Sequence, residues 1–537
     1  MAQSHWPAFL DSPEYSANPL EDRMRPFRTL LLAFLVTFTF PIPTAAQEPV
    51  YWDVVARIRA EGLGSSSVAE YTSYLSDVIG PRLTASPNMR MAQQWLLRVM
   101  GEIGLEEEKL EPFGENTIGW DLERVSLHML EPDYQMVIGY PLAFSRGTGG
   151  PVVERAVIAD IRTKADLELY RGRLKNAIVL STPMMPVSPR FVQDAFRETD
   201  ESLHAFETSG VDLLLERHGR GQPQQTPFEL DGITQAEVDE FFKSEGVAAV
   251  LIASIGSDGT VAAGAVPGGT GTRTREGVEN SLPTLSVAAE HYNRIYRILE
   301  RGIPVKLEVD VRVGLNESDT QAYNVLGEIR GGDLADEVVG LGAHLDSWHS
   351  ATGATDNAAG VAVVMEAMRI LKELGVTPRR TIRAMLWSYE EGGLRGSRGY
   401  VRNHLGSPKE GTTPDYDKFS VYFNMDNGTG QFRGVHLQGN TLVTPIFDAW
   451  LRPFHDLGVN TLSQYSNTGT DHRAFDEVGL PGFQFIQDRI DYRSRTWHLS
   501  MDQYDHVLPD DLKINAIVLA SFAYHAAMRD ELIPRKP

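Results

Sequence analysis

The stretch GAHLDSWHSATGATDNAAG, Gly342 to Gly360, sets His344 and Asp346 two residues apart and then places Asp356 among Gly, Ala, Ser and Thr. Carboxylates and an imidazole directly after the apolar run VVGLGA are unusual unless they have chemistry to do. Further along, TIRAMLWSY is followed by Glu390 and Glu391, FSVYFNM by Asp426, and GFQFIQD by YRSRTWHLSMD, which carries His498. Five successive places thus offer a carboxylate or an imidazole. None offers sulfur, because the chain has no cysteine. Such a set suits zinc, which accepts His nitrogen and carboxylate oxygen and keeps a position open for water in catalytic sites. Two dications would also relieve the repulsion among clustered carboxylates and could share a bridging carboxylate and water.

The spacing suggests a division of labour. His344 and Asp346 project to the same side of an extended strand, so one can ligate while the other steadies a ligand ring. Neighbouring Glu390 and Glu391 cannot easily serve one purpose. One can bind metal while the other faces the water as general base. Asp356 precedes a helical pattern, and its small neighbours let a metal pair approach the backbone.

These residues need elements to position them. From about residue 324 onward strands and helices alternate. The runs VVGLGAH, TIRAMLWSYE, FSVYFNMD and GFQFIQD are near-continuously apolar, as buried sheet strands are. Helical patterns lie between and after them, at NAAGVAVVMEAMRILKELG, TPIFDAWLRPFHDLG and DLKINAIVLASFAYHAAMRDEL. The expected architecture is α/β, a mixed central sheet with helices on both faces, and reacting groups collect at the carboxyl ends of such strands. Residues from about 51 to 110 are helical in pattern. Between them and residue 310, short apolar runs with polar or Gly-rich connections predict an inserted β-rich unit with few helices.

Composition bounds the function. The chain has 537 residues, 42% of them hydrophobic, which is long enough for more than one compact unit. Its formal charge of −22 argues against nucleic acid and anionic membrane surfaces as partners. Near the N-terminus, basic RMRPFR is followed by the apolar TLLLAFLVTFTF and by PIPTAAQ, with small Thr44 and Ala46 before Gln47. This is signal-peptide anatomy, and the apolar run is short for a membrane span. An exported, periplasmic or extracellular mature chain without stable membrane insertion is expected, with an uncleaved anchor as the rival; Met24 is a plausible translation start.

The motifs GAHLDSW, GATDNAAGVAVVMEAMRIL, WSYEEGGLRGS, NMDNGTG, TGTDHRAFDEVGLPGF and HLSMDQYD resemble those of the zinc-dependent exopeptidase family that includes aminopeptidase Y and glutamate carboxypeptidases. GPRLTAS near the N-terminus fits too. The resemblance implies two Zn2+ per chain, one held by His344, Asp356 and Asp426 and the other by Asp356, Glu391 and His498, with Asp356 bridging. It implies Glu390 as general base and acid, Asp346 in support, and a cis peptide after Asp356. Asp471 and His472 match an Asp-His pair near the family's site. It further implies that the β-rich segment is a protease-associated domain. The expected organisation is 1–46 as signal peptide and upstream extension, 47–124 and 301–537 as the two parts of the catalytic domain, and 125–300 as the insert. A peptide is the expected substrate, aminopeptidase and carboxypeptidase or dipeptidase activity both stay open, and a homodimer is the assembly considered. One rival is a glutaminyl-cyclase-like acyl transferase with one zinc. Another is a transferrin-receptor-like binding protein, but such proteins have lost ligands that are all present here. Two departures stand out: the acidic, polar stretch 197–232 matches no family pattern, and Arg489, Arg493 and Arg495 replace a more apolar segment before His498.

Overall fold

A computed structural model describes residues 48–189, 191, 193–214, 229–267, 273–467 and 469–537. The signal-peptide reading therefore lies outside the described residues. The first sheet has eight strands, in the order Glu106–Asn116, Gln321–Ile329, Arg380–Trp387, Leu334–His344, Phe419–Asn424, Gly482–Gln487, Phe432–His436, Thr461–Ser463. Its four central strands, Arg380–Trp387 to Gly482–Gln487, run parallel. Their carboxyl ends therefore open on one edge, and His344 stands level with Trp387 there.

Both faces of this sheet are covered, which is why its strands read as continuous apolar runs. Val421 and Phe423 point into a core shared with helices Pro87–Ile103, Ala359–Glu373 and Pro509–Met528. Tyr422 and Met385 point the other way, against Tyr400 and Phe475. Helix Ala359–Glu373 begins right behind Asp356 and is buried along most of its length. Its Gly360 is required by close approach, since a Cβ there would lie 2.6 Å from the Met425 carbonyl oxygen.

The second sheet also has eight strands. Gly119–Glu131 and Lys306–Asn316 form a long antiparallel pair, flanked by parallel Val152–Ile158, Ile178–Leu180, Ala249–Ala253 and Thr284–Val287. The sheet thus extends from 119 to 316, past the expected limits of 125 and 300. Helices are also more frequent than the sequence suggested. Parallel strands need crossovers, and Gln235–Glu245 and Arg275–Glu279 lie in two of them. Thr234 starts the first with a capping box closed by Glu237.

Candidate metal centre

Each ligand-bearing loop leaves the carboxyl edge of a central strand. His344 ends its strand, and its Nδ1 lies 2.9 Å from the Asp346 carbonyl oxygen. A carbonyl only accepts, so Nδ1 carries the proton and Nε2 keeps its lone pair. That Nε2 lies 3.1 Å from Asp356 Oδ1 and 3.4 Å from Asp426 Oδ1. Across Asp356, His498 Nε2 lies 3.0 Å from Glu391 Oε2 and 3.5 Å from Asp356 Oδ2. His344, Asp356 and Asp426 form one group and Asp356, Glu391 and His498 another, with the ligand atoms of each within 4.8 Å of one another. All five expected ligands come together, and Asp356 belongs to both groups.

The donor set fits a dication. Asp356 Oδ2, Glu391 Oε1 and Asp426 Oδ1 are buried without a hydrogen-bond partner among the described residues. Stranded carboxylate oxygens are costly unless something positive meets them. Two imidazoles, three carboxylates and no sulfur are a donor set zinc accepts. Burial pushes Glu391 upward.

Glu390 belongs to neither group but faces the same cavity, and burial raises its carboxyl well above the usual range. Tyr389, at φ +63°, turns the chain at this strand end. The Asp346 carboxylate then accepts the backbone N–H of Glu390 at 3.1 Å and of Glu391 at 3.3 Å. Asp346 thus steadies the His344 ring through its carbonyl, while its carboxylate fastens the Glu390–Glu391 turn. The Asp356–Asn357 peptide is cis, as the family resemblance implied.

Two supports escaped the sequence reading. Arg82 is fully buried and donates to the carbonyls of Leu345 (2.8 Å), Leu75 (3.1 Å), Gly80 (3.0 Å), Thr352 (2.8 Å) and Gly353 (2.8 Å). It ties down the loop that joins His344 to Asp356. Burial lowers its pKa to about 10, against the pull of Asp502, Asp346 and Asp356. Asp502 accepts the N–H of Thr355 at 2.6 Å and of Asp356 at 3.1 Å, and burial raises it to about 7. The only hints were GPRLTAS and the Asp four residues beyond His498. Asp471 and His472 join neither ligand group. Buried Asp471 accepts from the Ser397 hydroxyl, and His472 Nε2 donates to the Asn467 carbonyl at 2.6 Å.

A cavity of about 820 Å³ opens over Asp356, Glu390, Glu391, Asp426 and His498. Part of its wall is the unmatched stretch near residue 200. Arg197 bonds Asp488 and Asp511, each at 2.7 Å, and Phe206 packs with Ile486 and meets the His436 ring edge-on at 5.6 Å.

The family model for peptidase family M28 matches residues 324–523, the span that supplies every ligand above. Over 472 residues the chain is 27% identical to carboxypeptidase Q of Mus musculus, covering 87% of each chain. The crystal structure of a peptidase M28 precursor from Shewanella amazonensis SB2B superposes with a TM-score of 0.63 at 24% identity, over 90% of this chain and 98% of that one. A zinc aminopeptidase from Bacillus subtilis gives 0.53 at 18% identity, over 86% and 95%. With its strand-end residues in place, the span 324–523 matches peptidase family M28, and the chain as a whole is similar to carboxypeptidase Q along most of its length.

Proposed function

We propose that the protein is an exported di-zinc exopeptidase that removes terminal residues from peptides or dipeptides. The observation that carries this reading is the pair of ligand groups joined at Asp356, in which three buried carboxylate oxygens accept no hydrogen bond among the described residues. His344, Asp356 and Asp426 hold one ion, and Asp356, Glu391 and His498 the other. The likeness to carboxypeptidase Q and to a zinc aminopeptidase supports the exopeptidase class and the metal.

Bound zinc supplies Lewis acidity, which acidifies the attacking water and polarises the scissile carbonyl. The protein's own part is to hold and move a proton. Glu390 stands in the cavity beside the ligands with its backbone fixed by Asp346. As an unbound carboxylate it takes the proton of the attacking water and passes it to the leaving amine. The cavity leaves room for a peptide beside Glu390.

The strands from 119 to 316 are read as an inserted protease-associated-like domain that contributes no ligand. Export rests on the leader sequence, and among the described residues no helix is long and apolar enough to cross a membrane. Metal analysis of the purified protein should give two zinc ions per chain, and N-terminal sequencing should find a start at or near Gln47. A stoichiometry that stays near one with zinc supplied would favour the one-zinc acyl transferase instead.

A further inference from the structure

Four arginines line the cavity: Arg398, Arg473, Arg489 and Arg493. Three are already engaged by acids. Arg398 and Arg473 share Glu477 at 3.0 and 2.8 Å. Arg489 lies 3.4 Å from Glu198 and pairs also with Asp212, so it occupies the two acids of the neighbouring wall. Arg493 alone makes no ion pair or hydrogen bond among the described residues. Its guanidinium is held instead by ring faces, 4.2 Å over Trp497 and 5.6 Å from the Tyr492 ring centre. Stacking of this kind fixes an arginine while leaving its N–H fork open to a ligand.

Its place is close to the reaction. Arg493 sits in the turn Tyr492–Thr496 that leads directly to His498, and it lines the same cavity as Asp426, Glu390 and Glu391. Arg493 thus presents its cation to the cavity with no acid paired to it among the described residues. A planar donor fork in a partly dry site is built for a carboxylate.

We propose that Arg493 receives a substrate carboxylate, the free α-carboxylate of the residue being released, and so selects free carboxyl ends over blocked ones. This rests on the exopeptidase reading above. An acidic side chain offers the same chemistry, so the test must separate the two sources.

Three substrates do so with the zinc-loaded enzyme: Ala-Ala, Ala-Ala amide and Ala-Glu amide. Wild type should favour Ala-Ala over its amide by roughly 10- to 100-fold in kcat/KM, mainly through KM, the range of a charge-assisted hydrogen bond. Ala-Glu amide should be no better than Ala-Ala amide. In Arg493→Ala the ratio between acid and amide should fall toward one, and Arg493→Lys should keep part of it. A merely structural arginine would lower all three substrates together and leave the ratio intact, which would overturn the proposal. So would recovery by Ala-Glu amide, which would move the contact to a side chain. Calorimetry with the uncleavable reduced-bond analogue, as acid and as carboxamide, gives a reading free of turnover. Preference for the acid that vanishes in Arg493→Ala supports the proposal, and equal binding refutes it. A wild type that cleaves no peptide would sink the exopeptidase reading, and the calorimetric comparison would still judge Arg493.

Discussion

Replacing Arg82 by Met removes the buried donor that holds the loop from Leu345 to Gly353. Five carbonyls lose a bond. Two of them keep another donor, because Leu75 also accepts from Gly80 N and Gly353 from Ala358 N. Gly80 and Leu345 are buried and, among the described residues, have only Arg82. Stranding a buried carbonyl costs about 1–3 kcal/mol, so the two together cost about 2–6 kcal/mol. Removing a charge whose burial is itself costly offsets part of this, leaving about 3 kcal/mol net. Domains are typically stable by about 5–15 kcal/mol, so the variant should fold but unfold at clearly lower denaturant. Because the loop spans His344 and Asp356, zinc affinity should fall with it, by roughly 10- to 100-fold, as for other residues that orient ligands. Urea unfolding and competition with a chelator measure the two effects. An Arg82→Met protein with unchanged unfolding midpoint and zinc retention would refute the reasoning.

Two other outcomes follow from named side chains. Glu390→Gln should lower kcat by roughly 10²- to 10⁴-fold with metal content intact, whereas Glu391→Gln should lose zinc and regain activity in excess metal; the reverse pattern would exchange their roles. His349, His436, His472 and His525 are buried, and desolvation lowers each to about 4, so each stays neutral in the fold but charges at about 6.5 when unfolded. Between pH 6.5 and 4 the unfolded state binds the extra protons, so stability falls as pH drops through that window, by at most about 3 kcal/mol for each histidine. His349→Gln, which can still donate to the Pro141 carbonyl, should flatten the slope of unfolding free energy against pH in that window; an unchanged slope would show that His349 is not buried neutral.

The candidate ligands were legible because the strands that carry them are buried on both faces. Such strands are near-continuous apolar runs, so a charged residue at the end of one stands out, and His344, Glu390, Glu391 and Asp426 all do. The edge strand Glu106–Asn116, read EEEKLEPFGEN, gave no such signal, since its first half is exposed and it needs no apolar run. Arg82 was illegible for a different reason. Its partners are backbone carbonyls, which any residue provides, and Leu345 and Gly353 lie 263 and 271 residues away. Asp502 likewise acts on amides. The helices of the second sheet were missed because their patterns are short and sit among β-like runs, although Thr234 and Glu237 spelled out a capping box.

The wall around Arg197 and Phe206 comes from a part of the chain that supplies no ligand. The candidate ligands stand at the ends of the parallel strands or on the loops that leave them, over a packed core. The wall is attached from outside, by Arg197 to Asp488 and Asp511 and by Phe206 to Ile486. One wall of the cavity and the clustered acids therefore come from separate stretches of the chain. Substitution there can reshape the wall while His344, Asp356, Glu391, Asp426 and His498 stay where the packed sheet holds them.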